Sequence, residues 1–457
     1  MRSGRFLRWQ WINQPAVLLV LIALLAGGIR LYRLDTPTYR IFDEGCYTEQ
    51  LCQEPTLFEA AGQFEGVTDV NPEHPPLGKW MIRVGIAIFG DSALGWRVVS
   101  VLAGASTAAL TAWIAFLLFG SKGWLLVAGI AMSLETLNIA MSRLANLDIL
   151  VTVWVLLGFL FLVKSRALLQ HQFAGSSGVR AGSSRCLLAA GLTFGAACAT
   201  KWSGVLALIA AILVAYMSLR SSWTDDGVAS RRRAREPDPK GAALRQLLVP
   251  FFAIPLAVYL IAAVLSGDGV ITLLQRQSDM VRFQWAARFP SQDATHSYPR
   301  RVMVSAALLL LPERVFSEGG RTIRYAFIDP VILIASVVAV PYVVVRWFRL
   351  HEWVTLLLIM AVFVQSVPWL LVRSPYAYYL TPVAPFAVLL LIFALRALVV
   401  RAGERIAWIG IGVSVGVVAL LFLTLAIMWP FLFGVHPLDG GDVRWTVLDG
   451  LYLGNGP

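Results

Sequence analysis

Two carboxylates stand side by side shortly after the first apolar run, in Tyr39-Arg40-Ile41-Phe42-Asp43-Glu44-Gly45. A carboxylate held at a membrane surface can take a proton from an attacking hydroxyl. It can also steady positive charge growing on a sugar's anomeric carbon. Asp43 and Glu44 are therefore candidate catalytic residues, with a solvated loop pair as the plain alternative. Downstream, Asn71-Pro72-Glu73-His74-Pro75-Pro76-Leu77-Gly78-Lys79-Trp80 joins a His, a Pro pair and a Lys. The Pro pair fixes φ and stiffens the segment, so His74 and Lys79 can be held against a ligand headgroup. The alternative for Lys79 is an interfacial anchor beside Trp80.

Three more cations stand at the ends of apolar runs. Arg97 follows Gly95-Trp96, Arg143 lies in Ser142-Arg143-Leu144-Ala145-Asn146-Leu147-Asp148, and Lys201 lies in Ala199-Thr200-Lys201-Trp202-Ser203-Gly204. A cation at the bilayer centre costs ~2.5–3.5 kcal/mol or more, and an anionic partner near the interface offsets that cost. Singly, each reads as half of an ion pair, for example Arg143 with Asp148. Together, Arg97, Arg143 and Lys201, with His74 and Lys79, read as a seat for a phosphate. Asp148 reads as structural. His296-Ser297-Tyr298-Pro299-Arg300-Arg301 makes His296, Tyr298 and Arg300 candidate acceptor or loop contacts; the apolar Val302–Leu311 that follows reads as a surface helix. The four cysteines have no metal-ligand spacing, and neither a metal nor a cofactor is expected. Cys46 and Cys52 can bond only where the chain between them is not helical.

The elements that must position these groups are membrane spans. The 457 residues are 58% hydrophobic and 14% charged, against roughly 25% charged in soluble domains. Apolar runs at Pro15–Ile29, Arg97–Phe119, Trp124–Met141, Leu147–Val163, Leu187–Thr200, Gly204–Leu219, Leu247–Leu265, Pro330–Val345, Trp353–Leu371, Tyr379–Leu398 and Ile406–Phe433 give about eleven transmembrane helices. The first reads as an uncleaved span rather than a signal peptide. The net charge of +11 sits largely between runs. This pattern reads as positive-inside topology rather than nucleic-acid binding, and it puts the N-terminus in the cytoplasm. The expected architecture is a single all-α polytopic membrane domain over 1–457. It has external loops at about 32–80 and 266–324, a basic cytoplasmic loop at about 220–246 and an external tail at about 434–457. Ala174–Ser184 and Ser230–Lys240 read as flexible cytoplasmic linkers.

Taken in order, Phe42-Asp43-Glu44, His74-Pro75-Pro76-Leu77-Gly78-Lys79, Arg97 with Ser100, Ser142-Arg143 with Leu147-Asp148, and Lys201-Trp202-Ser203-Gly204 resemble the protein O-mannosyltransferases. These belong to the glycosyltransferase C superfamily, and the resemblance covers roughly the first half of the chain. It implies a fold of about eleven spans and an inverting transfer of mannose from a polyprenyl-phosphate carrier to Ser or Thr hydroxyls of exported proteins, at the external face of the cell membrane. It implies Asp43 as catalytic base with Glu44 beside it, and His74, Arg97 and Lys201 as donor or acceptor contacts. The implied partners are the sugar lipid, an acceptor protein or glycan, and the membrane. The later half departs from the family: after His296 and Tyr298 come Pro299-Arg300-Arg301-Val302, where the family carries Ser-x-Pro-Trp. A lipid or envelope-glycan acceptor, and a flippase for the same carrier, are the competing expectations. No paired repeat of the transporter kind is visible.

Overall fold

The computed structural model describes residues 15–41, 43–48, 74–171, 177–221, 247–266, 270–288, 313–315, 324–371, 376–402 and 407–433. Helix α1 (Ala16–Leu31) leads into the loop carrying Asp43 and a short α2 (Glu44–Thr48). Then come α3 (Leu77–Phe89), α4 (Ala93–Phe119), α5 (Lys122–Leu134), α6 (Thr136–Ser142), α7 (Leu147–His171), α8 (Ser177–Thr200) and α9 (Gly204–Ser221). A π-turn at Val249–Ala253 runs into α10 (Ile254–Leu265), followed by α11 (Val270–Arg288) and strands β1 (Glu313–Val315) and β2 (Arg324–Ala326). The last helices are α12 (Pro330–Leu350), α13 (Trp353–Ser366), α14 (Ala384–Ala402) and α15 (Ala407–Phe433). Two 3-10 turns, Val367–Leu371 and Ala377–Leu380, link α13 to α14.

Helices cover most of the described residues of the eleven apolar runs. Among the described residues, five helices are long and apolar enough to cross a membrane, six when α5 and α6 count as one bent span, and four shorter apolar helices accompany them. The protein is a multi-pass membrane protein. Its lipid-facing surface is apolar: Val338 on α12 and Leu24 on α1 are 71% and 66% exposed. The interior of the bundle is packed as in soluble proteins. Phe159 of α7 meets Phe194 of α8 and Phe386 of α14 edge-on at 5.5 and 4.9 Å, a favourable aromatic geometry.

Four features depart from the sequence expectation. The run Trp124–Met141 is broken at Glu135, where α5 and α6 meet at 57°. Glu135 caps α6 by accepting from the Leu137 and Asn138 amides at 3.1 and 2.6 Å, which ends one helix and starts another. The supposed linker Ala174–Ser184 is helical from Ser177, because α8 packs along α7 and Ser183 hydrogen-bonds Ser165 across them at 2.9 Å. Helix α3 begins at the end of the expected first loop and fills the stretch up to Phe89, to which the sequence reading assigned no element. It is amphipathic, burying Gly78, Lys79, Ile82 and Gly85 and exposing Val84 and Ile88. Lastly, among the described residues the helical bundle carries one antiparallel hairpin, with Glu313 opposite Ala326. His296, Tyr298 and Arg300, the run Val302–Leu311 and the C-terminal tail lie outside the described residues.

Candidate active site

The site grows from the loop between α1 and α2. Glu44, the first residue of α2, is fully buried and accepts from Arg97 Nε and Nη2 at 2.7 and 2.8 Å. It also accepts from the Ile41 and Ala145 amides at 2.9 and 3.0 Å. Arg97 donates its remaining N–H groups to the carbonyls of Leu34, Pro37 and Tyr39 at 2.8–3.0 Å. An arginine has five N–H donors, and here every one is taken within the protein. Arg97 thus reels the Asp43 loop onto α4, and no donor is left for the phosphate that the sequence reading gave it.

Arg143 is likewise turned to backbone carbonyls. Its guanidinium is buried, donating to the carbonyls of Arg30, Tyr32 and Arg33 at 2.5–3.1 Å and lying 4.4 Å from the Phe433 ring. Those carbonyls close the C-terminus of α1, where a cation complements the helix dipole. The expected pairing of Arg143 with Asp148 does not form as a direct salt bridge. The turn at 143–146 between α6 and α7 separates the two side chains, and Lys201 Nζ meets Asp148 Oδ2 at 2.7 Å instead.

Lys201 stands at the tip of the α8–α9 hairpin, almost fully buried, with Nζ 5.3 Å from the ring centres of both Tyr378 and Tyr379. This tip is pinned close to α3: a Cβ on Gly78 would come within 2.6 Å of Leu147 and 2.8 Å of Thr200. Only glycine allows the α3 N-terminus so near α7 and α8. Lys79, one residue on, is buried.

Asp43 is the one candidate carboxylate left half-exposed. Tyr47, one helical turn later, donates to its Oδ2 at 3.3 Å, and the Tyr47 ring lies 6.1 Å from His74. Burial pushes the Asp43 carboxyl up to about 6; Lys201 pulls it down, Asp148 pushes it up and the Tyr47 hydroxyl pulls it down. Asp43 therefore senses the Lys201–Asp148 pair directly. A carboxylate titrating near neutrality beside a fixed cation can accept a hydroxyl proton, and the cation can balance a departing anion.

The structure thus brings together Asp43, Glu44, His74, Lys79, Arg97 and Lys201 around α2, α3, α4 and the α8–α9 tip, and sets Arg143 beneath them against α1. The sequence reading missed Tyr47, Tyr378 and Tyr379. The four-residue step from Asp43 to Tyr47 was the available signal, since that spacing shares a helix face. It also missed Arg30, which is buried and donates to Asn138 Oδ1 at 2.6 Å and to the Ser133 carbonyl at 3.2 Å.

The chain is similar to known proteins in sequence and in fold. Residues 20–266 match the family model described as dolichyl-phosphate-mannose-protein mannosyltransferase. The chain is 32% identical over 262 residues to the polyprenol-phosphate-mannose–protein mannosyltransferase of Mycolicibacterium smegmatis, covering 52% of this chain and 48% of that protein. It is 33% identical to the enzyme of the same name from Mycobacterium tuberculosis, covering 52% and 47%. The chain spans about half the length of the curated relatives it matches. Among solved structures, the Saccharomyces cerevisiae protein O-mannosyltransferase Pmt1–Pmt2 complex bound to the sugar donor superposes with a TM-score of 0.70 at 12% identity, covering 92% of this chain and 90% of that one. ArnT from Cupriavidus metallidurans bound to undecaprenyl phosphate gives 0.54 at 18% identity, covering 96% and 75%. At these identities the likeness establishes the fold, the glycosyltransferase C type expected from sequence. Since the family model spans more than half of the sequence and includes Asp43, His74, Arg97 and Lys201, the chain belongs to the dolichyl-phosphate-mannose–protein mannosyltransferase family.

Proposed function

We propose that this chain moves mannose from a polyprenyl-phosphate carrier onto Ser or Thr hydroxyls of exported proteins. The carrying observation is Asp43: a half-exposed carboxylate held at about 6 beside the Lys201–Asp148 pair. The carrier's tail lies in the bilayer and its phosphate is met by Lys201, with His74 and Lys79 nearby. Asp43 takes the acceptor proton as the hydroxyl attacks the anomeric carbon. The polyprenyl phosphate leaves as an anion balanced by Lys201. A single displacement inverts the anomeric centre. Glu44 acts by holding the loop through Arg97 rather than by touching the sugar. No metal or cofactor is required in this scheme.

The basic segments between spans support a cytoplasmic N-terminus, with the site on the external side and the two long loops above it. The test is direct. Purified protein in lipid nanodiscs, given synthetic polyprenyl-phosphate-mannose and a Ser/Thr-containing peptide, is expected to yield a mannosylated peptide and free polyprenyl phosphate. Donor left intact in the presence of peptide overturns the reading.

Two observations favour a second acceptor. Pro299-Arg300-Arg301 stands where the family carries Ser-x-Pro-Trp, and the family match ends at residue 266. Labelled mannose appearing in the lipid or glycan fraction of membranes, and not in protein, selects that reading.

A further inference from the structure

The tip of the α8–α9 hairpin carries three polar side chains in a row, and each goes its own way. Lys201 reaches inward, where its Nζ donates to Asp148 Oδ2 at 2.7 Å. Ser203 Oγ is buried and has no hydrogen-bond partner among the described residues. Trp202 reaches α10 instead. Its indole Nε1 donates to the Tyr259 hydroxyl at 3.0 Å, and Tyr259 donates in turn to Gln277 Oε1 of α11 at 2.5 Å. Neither Tyr259 nor Gln277 enters the transfer scheme. Yet the residue next to Lys201 is moored, through one phenol, to a helix of the second long loop.

Helix α10 comes within reach of the tip because Gly195 lets it lie close against α8. A Cβ at Gly195 would come within 2.8 Å of Val258 Cβ and 2.9 Å of Pro255 Cα, and Tyr259 is the next residue along. Backbone bonds fix the shape of the tip: the Lys201, Gly204 and Val205 amides donate to the carbonyls of Ala197, Lys201 and Trp202 at 2.9–3.0 Å. Side chains are left to fix how the tip leans on its neighbours, and the two that do so sit on adjacent residues. A half-buried indole N–H needs one acceptor, and the phenol oxygen supplies it. The Tyr259–Gln277 bond carries the link onward, with every donor pointing the same way, an arrangement in which each bond polarises the next. The two helices that receive the link are apolar on their exposed sides: Ile261, Leu265, Ile271 and Leu274 are between 58% and 74% exposed.

We propose that Tyr259 is a positioning residue for the donor, holding the α8–α9 tip through Trp202 and Gln277 so that Lys201 stays set for the carrier's phosphate. A carrier with its tail in the bilayer and its phosphate on Lys201 depends on that setting; a peptide hydroxyl presented to Asp43 does not. The proposal rests on the mannose-transfer reading for its kinetic arm. The experiment compares the full chain in nanodiscs with Tyr259→Phe, which removes one hydroxyl and keeps the ring, with Gln277→Leu, and with both together. Polyprenyl-phosphate-mannose and a Ser/Thr peptide serve as substrates, and amide hydrogen exchange across 201–205 is followed without them. Tyr259→Phe is expected to raise donor KM about two- to tenfold, the worth of one hydrogen bond, with kcat and acceptor KM as in the wild type. Gln277→Leu moves donor KM in the same direction. The double variant is no worse than Tyr259→Phe, because both changes cut one relay, and the 201–205 amides exchange faster. An unchanged donor KM, an acceptor KM rising in step with it, or losses that add in the double variant overturn the proposal. If the wild type transfers no mannose, the mannose-transfer reading fails, and exchange alone decides: wild-type rates in Tyr259→Phe overturn the tether and faster rates uphold it. Gln277→Leu carries the test if Tyr259→Phe does not fold.

Discussion

Two buried ion pairs flank the same loop and are built differently. In the Arg97–Glu44 pair both side chains are sealed and both carry further backbone partners, from the Asp43 loop and, for Glu44, also from Ala145 in the α6–α7 turn. The Lys201–Asp148 pair is a single 2.7 Å contact under two tyrosine rings, close enough to Asp43 for both charges to act on it. Saturation marks scaffolding. A point-charge ammonium with donors to spare suits an anion that must arrive and depart. Adjacent residues inherit the contrast: Glu44 is locked and Asp43 is available.

This contrast can be broken or sharpened by experiment. Asp43→Asn is expected to lower turnover by roughly 10²–10⁴-fold, the loss of a positioned base, while the protein stays folded and inserted; full activity would erase the distinction between the two carboxylates. Arg97→Ala is expected to cost about 3–5 kcal/mol, because it strands Glu44 in the interior; thermal unfolding in detergent reads this, and a normal midpoint would show that the sealed pair holds nothing. Lys201→Gln is expected to lower kcat/KM for the donor by roughly ten- to hundredfold, the worth of one charge-assisted hydrogen bond, with a smaller change in stability than Arg97→Ala because the Gln amide can still donate to the buried Asp148. Equal effects on both quantities would merge the two pairs into one class.

The pH profile is gentler. Asp43 works as a base only when ionised, so turnover is expected to fall about tenfold per unit as pH drops below about 6. Because this carboxyl is raised on folding, its contribution to stability runs the other way: it is largest at low pH and falls as pH rises from about 4 to about 6. A flat profile down to pH 4.5 would remove Asp43 from the rate-determining step. Smallest is Arg40→Ala. Arg40 bonds Asp91, Thr48 and the Trp96 face at the rim, and Asp91 is held below the usual carboxylate range first by Trp96 and then by Arg40. With Asp91 largely exposed, the loss is expected to be about 0.2–1 kcal/mol, read by the same unfolding assay.

The membrane class and the helical runs were legible because apolar stretches of this length have few other uses, and the set of candidate residues was legible through the spacing of its motifs. The pairing within that set was not. Arg143 and Asp148 are five apart and look like partners, but the chain turns between them, and Lys201 arrives from another hairpin. Nothing in Asp43-Glu44 tells which of two neighbouring carboxylates faces inward; that follows from where Arg97 meets the loop. The break at Glu135 was readable in principle, since a Glu just before Thr136 inside an apolar run is an N-cap in waiting. Helix α3 escaped because its one apolar face is diluted by Gly78, Lys79 and Arg83 in a linear reading of the sequence.

The end of α15 rests on the beginning of the chain. Trp429 and Phe433 pack on Tyr32, and Phe433 lies under Arg143. During biosynthesis these supports would be the last to enter the bilayer among the described helices. A chain halted before residue 407 would hold every residue of the Asp43 cluster and still lack the floor beneath the loop that bears it. Catalytic competence should therefore emerge late, as a property of the finished insertion rather than of the family-matching half.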